Sequence, residues 1–177
     1  MPDMADLKGL LGSLASAMGG ETGMPTGCQA VEGFELNRYL GLWYEIARLD
    51  HSFERGLEQV TAHYAMRDDG GVAVTNRGFN PDDNEWDEAE GKAFFEEDSG
   101  TGRFRVSFFG PFYAGYNILW LDDRYEHAIV AGPNHGFLWL LARSSSITPD
   151  MYEHMVDFAR QNGFDTRALM LVSHDHA

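Results

Sequence analysis

The sequence predicts an all-β domain, an eight-stranded up-and-down antiparallel barrel, with one C-terminal α-helix packed outside it and a short N-terminal amphipathic helix. Three observations carry this. From Arg38 onward, short segments alternate apolar and polar residues with a period of two, and turn-forming clusters divide them at regular spacing. Within that region one long segment, near the end, has helical periodicity. A single helix cannot cover both faces of so large a sheet, so the sheet buries its apolar face by closing on itself.

Taken in order, "DLKGLLGSLASAMGG" places Leu7, Leu10, Leu11, Leu14 and Met18 at helical spacing after Asp6 as N-cap, and a Gly/Pro/Thr-rich linker follows from Gly19 to Gly27. Residues 1–32 read as this extension, 33–173 as the barrel with its helix, and 174–177 as a tail. The stretch "FELNRYLGLWYEIARLDHSFERGL" begins a strand with Gly-x-Trp and passes without a break into a charged, aromatic loop. "EQVTAHYAM", "VAVTNRGF", "WDEAEGKAFF", "RFRVSFF", "YNILWL", "HAIVAG" and "FLWLLARS" supply the next strands, with turns at "DDGG", "NPDDN", "SGTG", "DDRY" and "PNHG". The helix starts with Thr148 as cap, Pro149 in the first position and Ile147 as a staple onto Tyr152. It carries Met151, Tyr152, Met155, Val156 and Ala159 on its apolar stripe and stops at Gly163. "ALMLVS" is a last strand.

The 177 residues carry a formal charge of −15, which disfavours a sequence-independent nucleic-acid binder and attraction to anionic headgroups. With one cysteine, Cys28, an intrachain disulfide is excluded and a Cys/His metal cluster is unsupported, so no metal is expected. The histidines flanking Asp175 read as tail residues, with metal binding as the alternative. No apolar run approaches the ~18 residues of a transmembrane helix. The chain opens with Met-Pro-Asp, and Gly and Ser interrupt its apolar run, unlike a secretory signal. "PTGC" resembles a lipoprotein cleavage box, but Pro25 stands where an aliphatic residue is expected.

Several of these segments resemble lipocalins, most closely the bacterial outer-membrane and apolipoprotein D-like branch. "YLGLWYEIARLDHSFERGL" resembles the first conserved region of that family, with Gly41 and Trp43 as its Gly-x-Trp. "LDDRY" resembles the second, around Asp122, and "LWLLARSSSITP" the third, ending in Arg143. The resemblance spans about Gly33 to Val172. It implies that Trp43 plugs the closed end of the barrel, that Arg143 lies across the indole, and that the loop after the first strand borders an open mouth. It also implies a small hydrophobic ligand, a fatty acid or lysophospholipid, and no cofactor. By the same route it implies the cell envelope, with the cytoplasm an equal alternative in the absence of a recognisable signal. Residues 7–18 could touch a membrane, a second copy of the chain or the barrel mouth.

Parity from Trp43 and Arg143, together with the apolar faces, selects the ligand-facing side chains. They are Val60, Ala62 and Tyr64; Ala93 and Phe95; Phe104, Val106 and Phe108; Tyr116 and Ile118, with Trp120 following; and Phe137 and Trp139. The pairing of small residues (Ala62, Ala89, Gly91, Ala93) with large aromatics suits a tapering cavity. Arg48, His51 and Arg55 are mouth candidates for an anionic head, and Glu45 points inward and needs a partner. Two alternatives remain. One is a carrier of a tetrapyrrole or carotenoid, though the histidines lie outside or in loops. The other is a lipid-modifying enzyme, for which nucleophile and zinc motifs are missing and the one thiol precedes the barrel.

Overall fold

The computed structural model describes residues 21–51, 54–109 and 111–175. The amphipathic stretch Leu7–Met18 lies outside the described residues. A short helix α1 (Leu36–Tyr39) leads into β1 (Gly41–Leu49), followed by β2 (Glu58–Met66), β3 (Val72–Asn80), β4 (Glu85–Phe95), β5 (Arg103–Phe109), β6 (Phe112–Leu121), β7 (His127–Ala131) and β8 (Leu138–Ala142). Helix α2 (Pro149–Gln161), a 3-10 turn (Thr166–Ala168) and β9 (Leu169–Leu171) complete the chain. Each of the first seven strands pairs antiparallel with the next, and β1 pairs with both β8 and β2, so the sheet closes. This is the predicted barrel.

Closure sorts the side chains into an inside and an outside. Trp43, Tyr64, Val74, Phe104, Val130, Trp139 and Leu141 belong to one buried cluster inside the barrel. Ala47, Leu49, Ile129, Ala131, Leu138 and Leu140 form a second cluster with Met155 and Ala159 of α2. Strands β7 and β8 are therefore buried on both faces, which is why they read as nearly unbroken apolar runs. Helix α2 begins as its sequence demands. Thr148 Oγ1 accepts the amide of Met151 at 3.1 Å, Pro149 follows, and the chain leaves at Gly163 with φ +92°.

Two bulges break the regular alternation, and both matter. In β1 the register to β8 slips between Glu45 and Ala47: Glu45 faces Leu141, Ala47 faces Leu140, and Arg48 faces Trp139. The residue inserted at Ile46 keeps Glu45 inside, turns Ala47 out under the helix, and turns Arg48 in. In β6 a slip between Ile118 and Trp120 puts Trp120 opposite Ile129, on the helix side, where it meets His154. Trp120, read from strict alternation as ligand-facing, is outside.

The barrel wall is completed by segments at both ends of the described chain. β1 pairs with β2 only from Gly41 to Tyr44. Beyond that point β9 pairs with Ala47–Leu49, Val172 N–H donates to Ile46 O at 2.9 Å, and Gln59 N–H donates to Ser173 O at 2.7 Å. His174 Nε2 then donates to Glu45 O at 2.8 Å, so the tail residues up to that point are part of the wall. At the other end, Gly115 N–H donates to Glu21 O and Asn117 Nδ2 to Gly23 O, and Val31 N–H donates to Ile118 O. The part of the expected flexible linker that is described, from residue 21 on, is thus bonded to β6. Cys28 lies in the same run, with its thiol buried, donating to Asn162 O at 3.5 Å and 3.8 Å from His135 Nε2.

Candidate functional site: the barrel cavity

One end of the barrel is sealed. The Trp43 side chain is fully buried there, and its indole N–H donates to Tyr39 O at 2.8 Å. The Arg143 guanidinium lies 3.9 Å from the centre of the Trp43 ring. Its Nε donates to Tyr125 O, Nη1 to Leu42 O and Nη2 to Arg38 O, at 3.1, 2.9 and 2.8 Å. One side chain therefore ties the β6–β7 turn, α1 and the start of β1 under a single indole. Such a stacked, partly exposed guanidinium contributes about 1 kcal/mol from the ring contact alone. Gly41 has φ +99°, a backbone conformation that suits glycine. Asp122 organises the adjacent turn by accepting the amides of Glu126 and His127 and the His127 ring at 2.6 Å. Burial alone would raise its carboxyl, but these hydrogen bonds outweigh burial and hold it below the usual range.

Above the seal lies a cavity whose wall runs from Leu36 and Tyr39 of α1 to Glu54 and Trp139. The space between its walls is about 890 Å³ with the mouth included, yet a water-sized sphere can centre itself in only about 70 Å³ of it. It is a narrow slot. Val60, Ala62, Tyr64, Ala93, Phe104, Val106, Phe108, Tyr116 and Trp139 all border it. Its floor carries one polar group, in which the Tyr116 hydroxyl hydrogen-bonds with the hydroxyls of Tyr39 at 2.5 Å and Tyr64 at 2.8 Å. Burial pushes all three phenols up, so they stay neutral and satisfy one another.

Besides Trp120, three of the ligand-facing candidates stand apart from the slot. Phe95 stacks on Phe104 at 4.4 Å and packs against Phe34 in the seal. Ile118 is fully buried beside Gly102, also toward the sealed end. Phe137 is stacked between His51, at 4.2 Å, and Trp139, at 6.4 Å, in the rim. Gly91 is small for a reason other than a taper, since a Cβ there would meet the Phe108 ring at 2.8 Å and Ser107 O at 2.7 Å. That ring lies against the β4 backbone and narrows the slot.

The mouth candidates divide in the same way. Arg48 is not a solvated mouth charge: its side chain is 0% exposed and every guanidinium nitrogen is engaged within the protein. Nη1 donates to Glu45 Oε1 at 3.2 Å, Nε to Asp50 Oδ1 at 3.2 Å, and Nη2 to the carbonyls of Glu54 and Leu57 at 2.8 and 3.3 Å. The β1 bulge is the cause, because it reverses the phase that would have sent Arg48 outward. Arg48 is thus the partner that Glu45 requires, and it pins residues 54–57 over the mouth. Leu57, held there, packs with Val60, Ala89, Val172 and Phe108. His51 does sit at the rim, its ring stacked on Phe137 and its Nε2 donating to Gly136 O, which joins two mouth loops. Arg55 is 69% exposed and 3.5 Å from Asp50.

Several wall residues escaped the sequence reading, among them Val72 and Val74 of β3 and Val130 of β7, whose strands were located but whose inward faces were not assigned. Tyr39 and Leu36 come from α1, a turn too short for periodicity to show. Glu54 comes from a loop, where alternation carries no information, yet it is buried, borders the slot, and accepts the Trp139 indole N–H at 2.8 Å.

With this geometry in hand, similarity to known proteins can be placed. The lipocalin-like domain family matches residues 34–174. Outer membrane lipoprotein Blc of Citrobacter freundii is 51% identical over 148 residues, covering 84% of each chain. The protein of the same name from Vibrio cholerae is 50% identical over 156 residues, covering 88% of this chain and 91% of its own. Mouse apolipoprotein D is 30% identical over 143 residues, 76% of this chain and 74% of its own. Among solved structures, insecticyanin from the tobacco hornworm Manduca sexta superposes with a TM-score of 0.69 at 20% identity, over 88% of both chains, a likeness of fold alone. Sealed barrel, stacked Trp43–Arg143 pair, flanking helix and matched sequence agree: the chain belongs to the lipocalin family.

Proposed function

We propose that the protein binds a single-chain lipid, a fatty acid, lysophospholipid or similar molecule, in the barrel cavity and carries or stores it rather than transforming it. The observation behind this reading is the slot itself: deep, sealed at one end, lined almost wholly by apolar side chains, and narrow. An extended acyl chain matches that shape, and each buried methylene would contribute ~0.8 kcal/mol. A broad planar tetrapyrrole would have to spread the walls. The family resemblance supports a hydrophobic ligand, and the names of the bacterial relatives support a role at the cell envelope.

The test is native mass spectrometry of the purified protein, followed by organic extraction and lipid analysis, beside a cavity-filling variant. Ala62 borders the slot, so Ala62→Trp should occupy the space a chain would take. Overpacking costs about 1–3 kcal/mol, which a closed barrel tolerates, while affinity for acyl lipids should fall more than tenfold. Unchanged affinity in a folded Ala62→Trp protein would place the ligand elsewhere.

A further inference from the structure

Resting on that reading, the polar group inside the slot bears on which lipid head it accepts. Glu45 and Glu54 both border the cavity, and their side chains are only 7% and 5% exposed. They share one cation, Arg48, which Asp50 also engages. Glu54 Oε1 accepts the Trp139 indole, but Glu54 Oε2 is buried and accepts no hydrogen bond among the described residues. Arg48 Nη1 stands 3.7 Å from it, outside hydrogen-bonding reach. A buried carboxylate oxygen left in this state is costly, and it borders the space a ligand would enter. Arg48, by contrast, is fully buried with four of its five N–H groups already donated within the protein.

We propose that the Glu45–Glu54 pair is a head-group subsite that accepts a hydrogen-bond donor, above all an ammonium group, and excludes a carboxylate from the depth of the slot. Two carboxyl groups beside one guanidinium leave more acceptor oxygens than Arg48 satisfies. A primary ammonium can donate to Glu54 Oε2 and supply the missing bond as a charge-assisted one. A hydroxyl supplies the bond without the charge and ranks second. A fatty-acid carboxylate brings two more acceptors to a group already short of donors, so such a lipid enters tail first and leaves its head at the rim, near Arg55.

The experiment compares three probes of equal chain length, dodecylamine, dodecanol and dodecanoate. Each is titrated below its aggregation threshold at pH 7 against protein preloaded with N-phenyl-1-naphthylamine, for the wild type and for Glu54→Gln. The amine should bind at least tenfold more tightly than the carboxylate, with the alcohol between. Glu54→Gln, which keeps the side-chain size and is checked by its thermal transition, should bring amine and carboxylate within about threefold of each other. Equal binding of all three probes by the wild type, or an amine preference that survives in Glu54→Gln, overturns the subsite and leaves the lipid-carrier reading standing. Failure of all three probes to displace the dye overturns both.

Discussion

At the scale of single residues, the buried arginine is the most consequential side chain. Arg143 and Arg48 are both held by backbone carbonyls, but they do different work. Arg143 closes the floor from a partly exposed position, stacked on an indole. Arg48 sits within the wall and balances two buried carboxylates. Removing one partner of a buried ion pair generally costs about 3–5 kcal/mol, because the other charge stays buried without compensation. Arg48→Met, which keeps the length and apolar stem, should therefore destabilise the barrel by that amount in urea unfolding at pH 7. It should also free residues 54–57, whose carbonyls lose their donor. The double variant Arg48→Met with Glu45→Gln should recover at least a third of the loss. Additive losses in the double variant would show that the two side chains do not act as a pair.

At the scale of elements, the barrel wall depends on a small strand that comes last in the chain. β1 leaves β2 after Tyr44, and β9 with the residues after it occupies the opening. A chain ending at Ala168 would lose the Ser173 acceptor for Gln59 and the Val172 donor for Ile46. Amide exchange at Gln59 should then accelerate by at least a hundredfold, while amides of β4 and β5, on the far side, keep their protection. Uniform acceleration would mean that the seam is coupled to the whole fold. The same strand shows what the sequence made legible and what it did not. Alternation and turn clusters located all eight barrel strands, and the cap, proline and glycine signals bounded α2, because those features are written in neighbouring residues. Trp43 and Arg143 were legible through a motif. The orientation of Arg48 and of Trp120 was not, since a one-residue bulge reverses parity and is decided by pairing with a strand distant in sequence. Glu54 was invisible for a related reason: a loop residue's burial is set by what it folds onto, here Arg48 and Trp139.

At the scale of the whole molecule, a chain of formal charge −15 keeps some of its negative charge in the interior, and pH reads out the consequence. Burial, and then the neighbouring Glu54 carboxylate, push the Glu45 carboxyl well above its ordinary value of 4.5, with Arg48 opposing them. Tyr64 also faces this group, and its pKa is itself raised by burial. In the interval between that ordinary value and the raised one, the folded protein holds a proton on Glu45 that the unfolded chain has released. Stability from this source is complete below pH 4.5 and is lost as pH rises toward and through the raised value. Asp122 works in the opposite sense: held below its ordinary value of 3.8, it stabilises the fold above that pH and ceases to as pH falls. Difference profiles separate the two from the general repulsion among surface carboxylates. Measured as the thermal midpoint of variant minus wild type, Glu45→Gln should be near zero at pH 4 and increasingly positive toward pH 8. Asp122→Asn should be negative at pH 7 and approach zero near pH 3. If Glu45→Gln instead lowered the midpoint at pH 8, the Arg48–Glu45 attraction would outweigh the cost of burying a second carboxylate. The interior would then be an ion pair with a spectator, and its negative excess would have no energetic weight.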